Sequence, residues 1–136
     1  MITLLIGKKG SGKTKTLIEM ANKAAEASNG NVVVIEKGLK LTYDITHKAR
    51  LIDADAYGIT GLDAMVGFVS GICAGNYDVT DILVDSTLKI IGDGADLEAL
   101  VAKFEALSNS AETNIVLSVS AAEEDLPVAV SKYVAK

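Results

Sequence analysis

The 136-residue sequence predicts an α/β fold in three layers, a mainly parallel β-sheet held between helices. Two observations carry that prediction. Short Val/Ile/Leu-rich runs alternate with longer segments of helical periodicity, the pattern of strands joined by helical crossovers. The composition agrees: hydrophobic residues make up 49% and aromatic ones only 4%, so the core is aliphatic. Such a core suits buried parallel strands covered by Ala-rich helices. For this length one domain over residues 1–136 is expected.

Residues 2–6 form an apolar run and read as the first strand. Residues 13–27 read as a helix with Leu17, Ile18, Ala21, Ala24 and Ala25 on one face. Ser28-Asn29-Gly30-Asn31 ends it, glycine being a common helix terminator. Residues 32–35 are a second, buried strand. Residues 37–49 are polar and irregular, and 50–54 read as a short edge strand. Residues 61–74 make a second helix, and 82–84 a strand that ends at Asp85. Residues 95–107 make a third helix, with Leu97, Leu100, Val101, Phe104 and Leu107 on one side. Residues 115–119 are another buried strand. The tail, 121–136, reads as helical, interrupted or restarted at Pro127, the only proline.

Chemistry enters between the first strand and the first helix. Residues 7–14 read Gly7-Lys8-Lys9-Gly10-Ser11-Gly12-Lys13-Thr14, the pattern G-x-x-x-x-G-K-[ST] in its strand–loop–helix setting. The glycines let backbone wrap closely around an anion and permit positive φ. The loop amides then form a nest for phosphates at the positive end of the helix. Lys13 is a mobile charge within reach of β- and γ-phosphates, and the Thr14 hydroxyl is placed to ligate Mg2+.

A second stretch, Asp81-Ile82-Leu83-Val84-Asp85, is an apolar strand that closes on a carboxylate. With these two stretches, which look like Walker A and Walker B motifs, the chain resembles a P-loop nucleoside triphosphatase. The resemblance implies ATP and Mg2+ as ligands, with Thr14 and Asp85 at the metal and Lys13 at the phosphates. Small GTPases carry an Asn-Lys-x-Asp motif and an Asp-x-x-Gly loop; here Asp85 is followed by Ser86-Thr87-Leu88. ATP is therefore expected over GTP. Nucleotide kinases clamp phosphates with an arginine-bearing lid, and this chain has one arginine, Arg50.

The branch it looks most like is the RecA-type, additional-strand ATPases. There the strand after Walker B inserts beside the first strand and ends in a polar sensor, a role that fits Ser118. Some members place the catalytic carboxylate at the end of the second strand, where this chain has Glu36. The commoner Glu directly after the Walker B Asp is replaced by Ser86. Gly7, Glu36, Asp85 and Ser118–Ser120 all fall at carboxyl ends of expected strands, the rim where such sheets bind ligands.

Charge and cysteine content narrow the partners. A net charge of −5 argues against nonspecific nucleic-acid binding, which relies on basic patches. The cluster Lys8, Lys9, Lys13 and Lys15 suits a triphosphate pocket better. One cysteine, Cys73, forms no internal disulfide and fits a reducing cytoplasm. Its apolar helical setting marks it as buried, and His47, in a polar stretch, as a surface residue. The chain starts directly in a strand without a charged leader, so no signal peptide is expected. The most apolar segment, 59–75, is too short and too interrupted by Asp63 and glycines to span a bilayer. Three readings stay open: a slow Mg2+-dependent ATPase acting as a switch or with a homo-oligomeric or protein partner, a nucleotide-binding module without turnover, and a small-molecule kinase.

Overall fold

The structure, a computed structural model, describes residues 1–135. Its elements alternate as expected: β1 (Ile2–Gly7), α1 (Lys13–Ala27), β2 (Asn31–Glu36), β3 (Ala49–Asp53), α2 (Leu62–Gly75), β4 (Val79–Val84), α3 (Thr87–Ile91), α4 (Leu97–Ala111) and β5 (Asn114–Ser120). The five strands pair in the order β1-β5-β4-β2-β3. Every pairing is parallel. The last strand in sequence thus inserts between the first strand and the strand before Asp85; residues 49–53 form one edge, as expected, and β1 the other.

Side-chain alternation along the strands sorts the apolar residues into two cores. On one face Leu4, Val33, Ile35, Ile82, Val84, Ile115 and Leu117 pack with α2, α3 and α4, centred on Met65, Val69 and Phe104. On the other, Leu5, Val32, Val34, Leu83 and Val116 pack with Leu17 and Ala21 of α1. Leu41 and Ile45 join that second core. They pin the irregular segment after β2 across the sheet, so it is anchored although it has no regular structure.

Two expectations are corrected. The tail is helical only in two short 3-10 pieces, Glu123–Asp125 and Val128–Tyr133, the second restarting after Pro127 as expected, and Lys136 lies outside the described residues. The reason lies in the edge of β1. Ala135 N–H donates to Leu4 C=O at 2.9 Å, and Val134 bridges Leu4 as a parallel partner. An open strand edge offers unpaired backbone groups, and the tail satisfies some of them. The other correction is α3, a five-residue helix directly after Asp85 and Ser86. One turn and a half is too short to register as periodicity.

Candidate functional site

Because the strands run parallel, their carboxyl ends share one rim. Gly7 lies opposite Ser120 in the β1–β5 register, and Val84 opposite both Ile35 and Leu117. Gly7, Glu36, Asp85 and Ser118, expected from four separate strands, therefore gather at the same edge.

The glycine-rich loop leaves β1 and turns sharply into α1. Gly7 has φ 146°, and a Cβ built there would collide with Ser11 Oγ. Gly12, the residue preceding α1, has φ 93°, and no side chain caps the helix start. The first amides of α1 are thus left for another acceptor, and an anion at a helix N-terminus supplies one. Inside the loop Ser11 N–H donates to Lys8 C=O at 3.0 Å. The Lys13 ammonium donates to the same carbonyl at 3.0 Å. That bond must give way for Lys13 to reach a phosphate. Lys8, Lys9 and Gly10 are exposed at the tip of the loop.

Asp85 is the hub of the rim, 7% exposed and surrounded by donors. Thr14 Oγ1 donates to its two carboxylate oxygens at 3.1 and 3.3 Å. Ser118 Oγ donates at 2.9 Å, and Ser86 Oγ stands at 3.4 Å. Ser118 Oγ in turn accepts from Ser86 N–H at 2.7 Å. Ser86 adopts φ 52°, a left-handed conformation uncommon for a residue with a Cβ. Such strain costs on the order of 1–3 kcal/mol and persists where surrounding bonds hold it. Here the bond to Ser118 does so, turning the chain abruptly from β4 into α3.

Glu36 is only 3% exposed, so it is no solvated loop residue. Its Oε2 accepts from Leu41 N–H at 2.9 Å. Lys37, its neighbour in sequence, pairs instead with Asp55 at 2.8 Å. Burial pushes the Glu36 carboxyl above its ordinary value, and the Asp85 charge adds to the rise. Backbone donors at Leu41 and Lys40, and the Lys40 charge, oppose it.

A cavity of about 250 Å³ lies in front of these groups, lined by Thr14, Glu36, Lys37, Lys40, Leu41, Asp85, Ser86 and Lys89. Lys40 and Leu41 had no signal in the sequence, because their place depends on how the segment after β2 folds back. A larger groove, about 710 Å³, opens elsewhere between α2 and the edge of the sheet, lined by Val33, His47, Arg50, Ile52, Tyr57 and Phe68 among others. It holds none of the rim residues. Arg50 pairs with Val33, three positions before the Glu36–Asp53 pair. At about 3.3 Å per residue that is roughly 10 Å short of the rim. His47 is exposed and Cys73 buried, as expected.

The donor set at the rim is all hard oxygen. Among the described residues no group of three or more His, Cys, Asp or Glu forms a cage. Thr14 Oγ1 and Asp85 offer two oxygens within hydrogen-bond distance of each other, which fits Mg2+ that brings waters and phosphate oxygens as its other ligands. Among the described residues no helix is long and apolar enough to cross a membrane.

No family model matches the chain, and no curated protein matches it. Among solved structures it is similar to the flagellar accessory protein FlaH from Methanocaldococcus jannaschii, with a TM-score of 0.66 and 17% identity. The likeness covers 96% of this chain and 65% of that one, so the chain spans slightly less than two thirds of that protein's length. At that identity the likeness is one of fold, and it agrees with the three-layer α/β architecture.

Proposed function

We propose that the chain binds ATP with Mg2+ at residues 7–14 and hydrolyses it slowly, as a switch or together with a partner. The observation that carries the reading is the meeting of Thr14 and Asp85 directly beyond the glycine-rich loop. Loop amides and Lys13 would take the phosphates, and Thr14 with Asp85 would hold Mg2+. The metal would neutralise phosphate charge there. Ser118 keeps the Asp85 carboxylate aimed. Glu36, buried with a raised pKa beside the same cavity, is the group that orients the attacking water and takes its proton.

Of two other readings, one has its own support. A binding module without turnover is favoured by Ser86, which stands where a carboxylate would follow Asp85. A kinase would need room for an organic acceptor. The cavity of about 250 Å³ is below the roughly 300–1,000 Å³ of ordinary small-molecule sites, which favours water.

The test is a thermal-shift panel of ATP, ADP, GTP and GDP with and without magnesium. Ligand at a hundred times its dissociation constant adds about 2.7 kcal/mol. For a domain this size that is a shift of about 10 °C. Absence of any shift at millimolar nucleotide would sink the proposal, and a larger shift with GTP would reverse the base preference.

A further inference from the structure

Transfer of the γ-phosphoryl to water spreads negative charge over its equatorial oxygens, and cations already in place are what lower that barrier. The oxygen of water bonds to the γ-phosphorus while the bond from that phosphorus to the β,γ-bridging oxygen breaks. The electron pair stays on ADP, and the water proton passes to Glu36. Lys13 comes from the glycine-rich loop. A second cation is needed from another side, and Arg50, near the amino end of β3, is not at the rim.

The cavity beside Thr14 and Asp85 supplies candidates. Lys37 and Lys40 line it from the segment after β2, and Lys89 from α3. Asp55 engages Lys37. Lys40 and Lys89 make no ion pair among the described residues, although the chain holds 18 acidic residues against 13 basic ones. Their backbones are held. Next to Lys40, Leu41 is buried and its N–H is bound by Glu36. Lys89 N–H donates to Ser86 C=O at 2.9 Å, and Ser86 is tied to Ser118. Two anchors that already serve the carboxylates thus also set these lysines around the same cavity.

The geometry points to Lys40 and Lys89 as the cations that stabilise the γ-phosphoryl in transfer, supplied by the same molecule that binds the nucleotide. The inference rests on the proposed ATP site. Its consequence is that basal hydrolysis needs no arginine from a second chain. Lysine lacks the planar fork of arginine, so the stabilisation is weaker, in keeping with slow turnover.

ADP with Mg2+ and fluoroaluminate, which mimics the phosphoryl in flight, separates the two levels. In Lys40→Ala and Lys89→Ala, Mg-ADP affinity should stay within about twofold of the parent. The tightening by fluoroaluminate and the single-turnover rate with ATP should each fall by roughly tenfold or more, and the double variant should lose more than either single one. Lys40→Arg and Lys89→Arg should restore part of both. Unchanged tightening and rate in the alanine variants would overturn the assignment, as would a parent protein that binds Mg-ADP yet gains nothing from fluoroaluminate. A parent that binds no nucleotide at all would remove the ATP site itself, and the lysine roles with it.

Discussion

The Thr14 hydroxyl donates to the Asp85 carboxylate at 3.1 Å across 71 residues of sequence. The two strands that bring them there, β1 and β4, are not neighbours, because β5 lies between them. The contact therefore arches over the end of β5, and Ser118 on that strand supports it from below with its own bond to Asp85. In the proposed site a cation that takes the Thr14 hydroxyl directly and Asp85 through water would replace the Thr14–Asp85 bond without moving either residue far. Preorganisation of this kind lowers the cost of binding.

Lys13→Ala and Asp85→Ala should fail differently. Lys13 would meet phosphate directly, so its loss should weaken ATP and ADP alike. Asp85 would act through the metal, so its loss should abolish the magnesium dependence of the thermal shift and leave metal-free nucleotide binding. If Asp85→Ala keeps the full magnesium effect, Asp85 is a turn residue and no metal ligand.

Ser118→Ala tests the support under Asp85. Ser118 is 1% exposed and serves two partners, accepting from Ser86 N–H and donating to Asp85. Alanine leaves the Ser86 amide without its acceptor, at a cost of about 1–3 kcal/mol in stability. It also frees Ser86 to leave its left-handed conformation. The expected result is a lower melting temperature together with a weaker response to magnesium. A variant as stable as the parent, with an unaltered magnesium response, would show that Ser118 is neutral packing.

The sequence made much of the rim legible because Gly7 and Glu36 close strands, Asp85 directly follows one and Ser118 lies near the end of another. The helix over residues 13–27 was readable to the residue, since a glycine loop opens it and a Ser-Asn-Gly run ends it. The insertion of β5 beside β1 came from the resemblance and could not have come from periodicity, which does not encode strand order. Lys8, Lys9 and Lys89 could be named from the sequence as cations in place of an arginine, but the meeting of Lys89 with Lys37 and Lys40 at one cavity was opaque for a related reason. These three come from two segments whose approach is set by Leu41 and Ile45 packing into the α1-side core and by the turn at Ser86. The tail misled because the pull of an unpaired strand edge leaves no mark in local sequence.

Glu36→Gln should separate function from stability. A carboxyl whose pKa is raised by folding binds protons more readily in the folded than in the unfolded state. The folded state is then favoured at low pH, and loses stability as pH rises from the ordinary value of 4.5 through the raised one. Glutamine stays neutral and still offers an oxygen to Leu41 N–H. The variant should melt higher than the parent at pH 8, with the gap closing toward pH 4, while nucleotide binding persists and turnover is lost. Unchanged hydrolysis removes Glu36 from the mechanism. A variant that melts lower at pH 8 would mean the ionised carboxylate is favourably held.

Arg50 is the residue on which an intermolecular mechanism would turn. It is exposed, lies near the amino end of the edge strand, and stands roughly 10 Å short of the rim along β3, so it serves its own site poorly. Across an interface it could still meet a neighbour's phosphates, and an arginine supplied in that way raises rates by roughly 10³–10⁵. Basal turnover by the dilute chain, well under about one per second by comparison with switches that lack such a finger, should be untouched by Arg50→Ala. The rate per molecule should also stay constant as protein concentration rises. The decisive measurement is the rate across a wide concentration range in both proteins. A rate per molecule that climbs with concentration in the parent, and stays flat in Arg50→Ala, would show that self-association delivers the arginine and that the lysines around the cavity are insufficient alone.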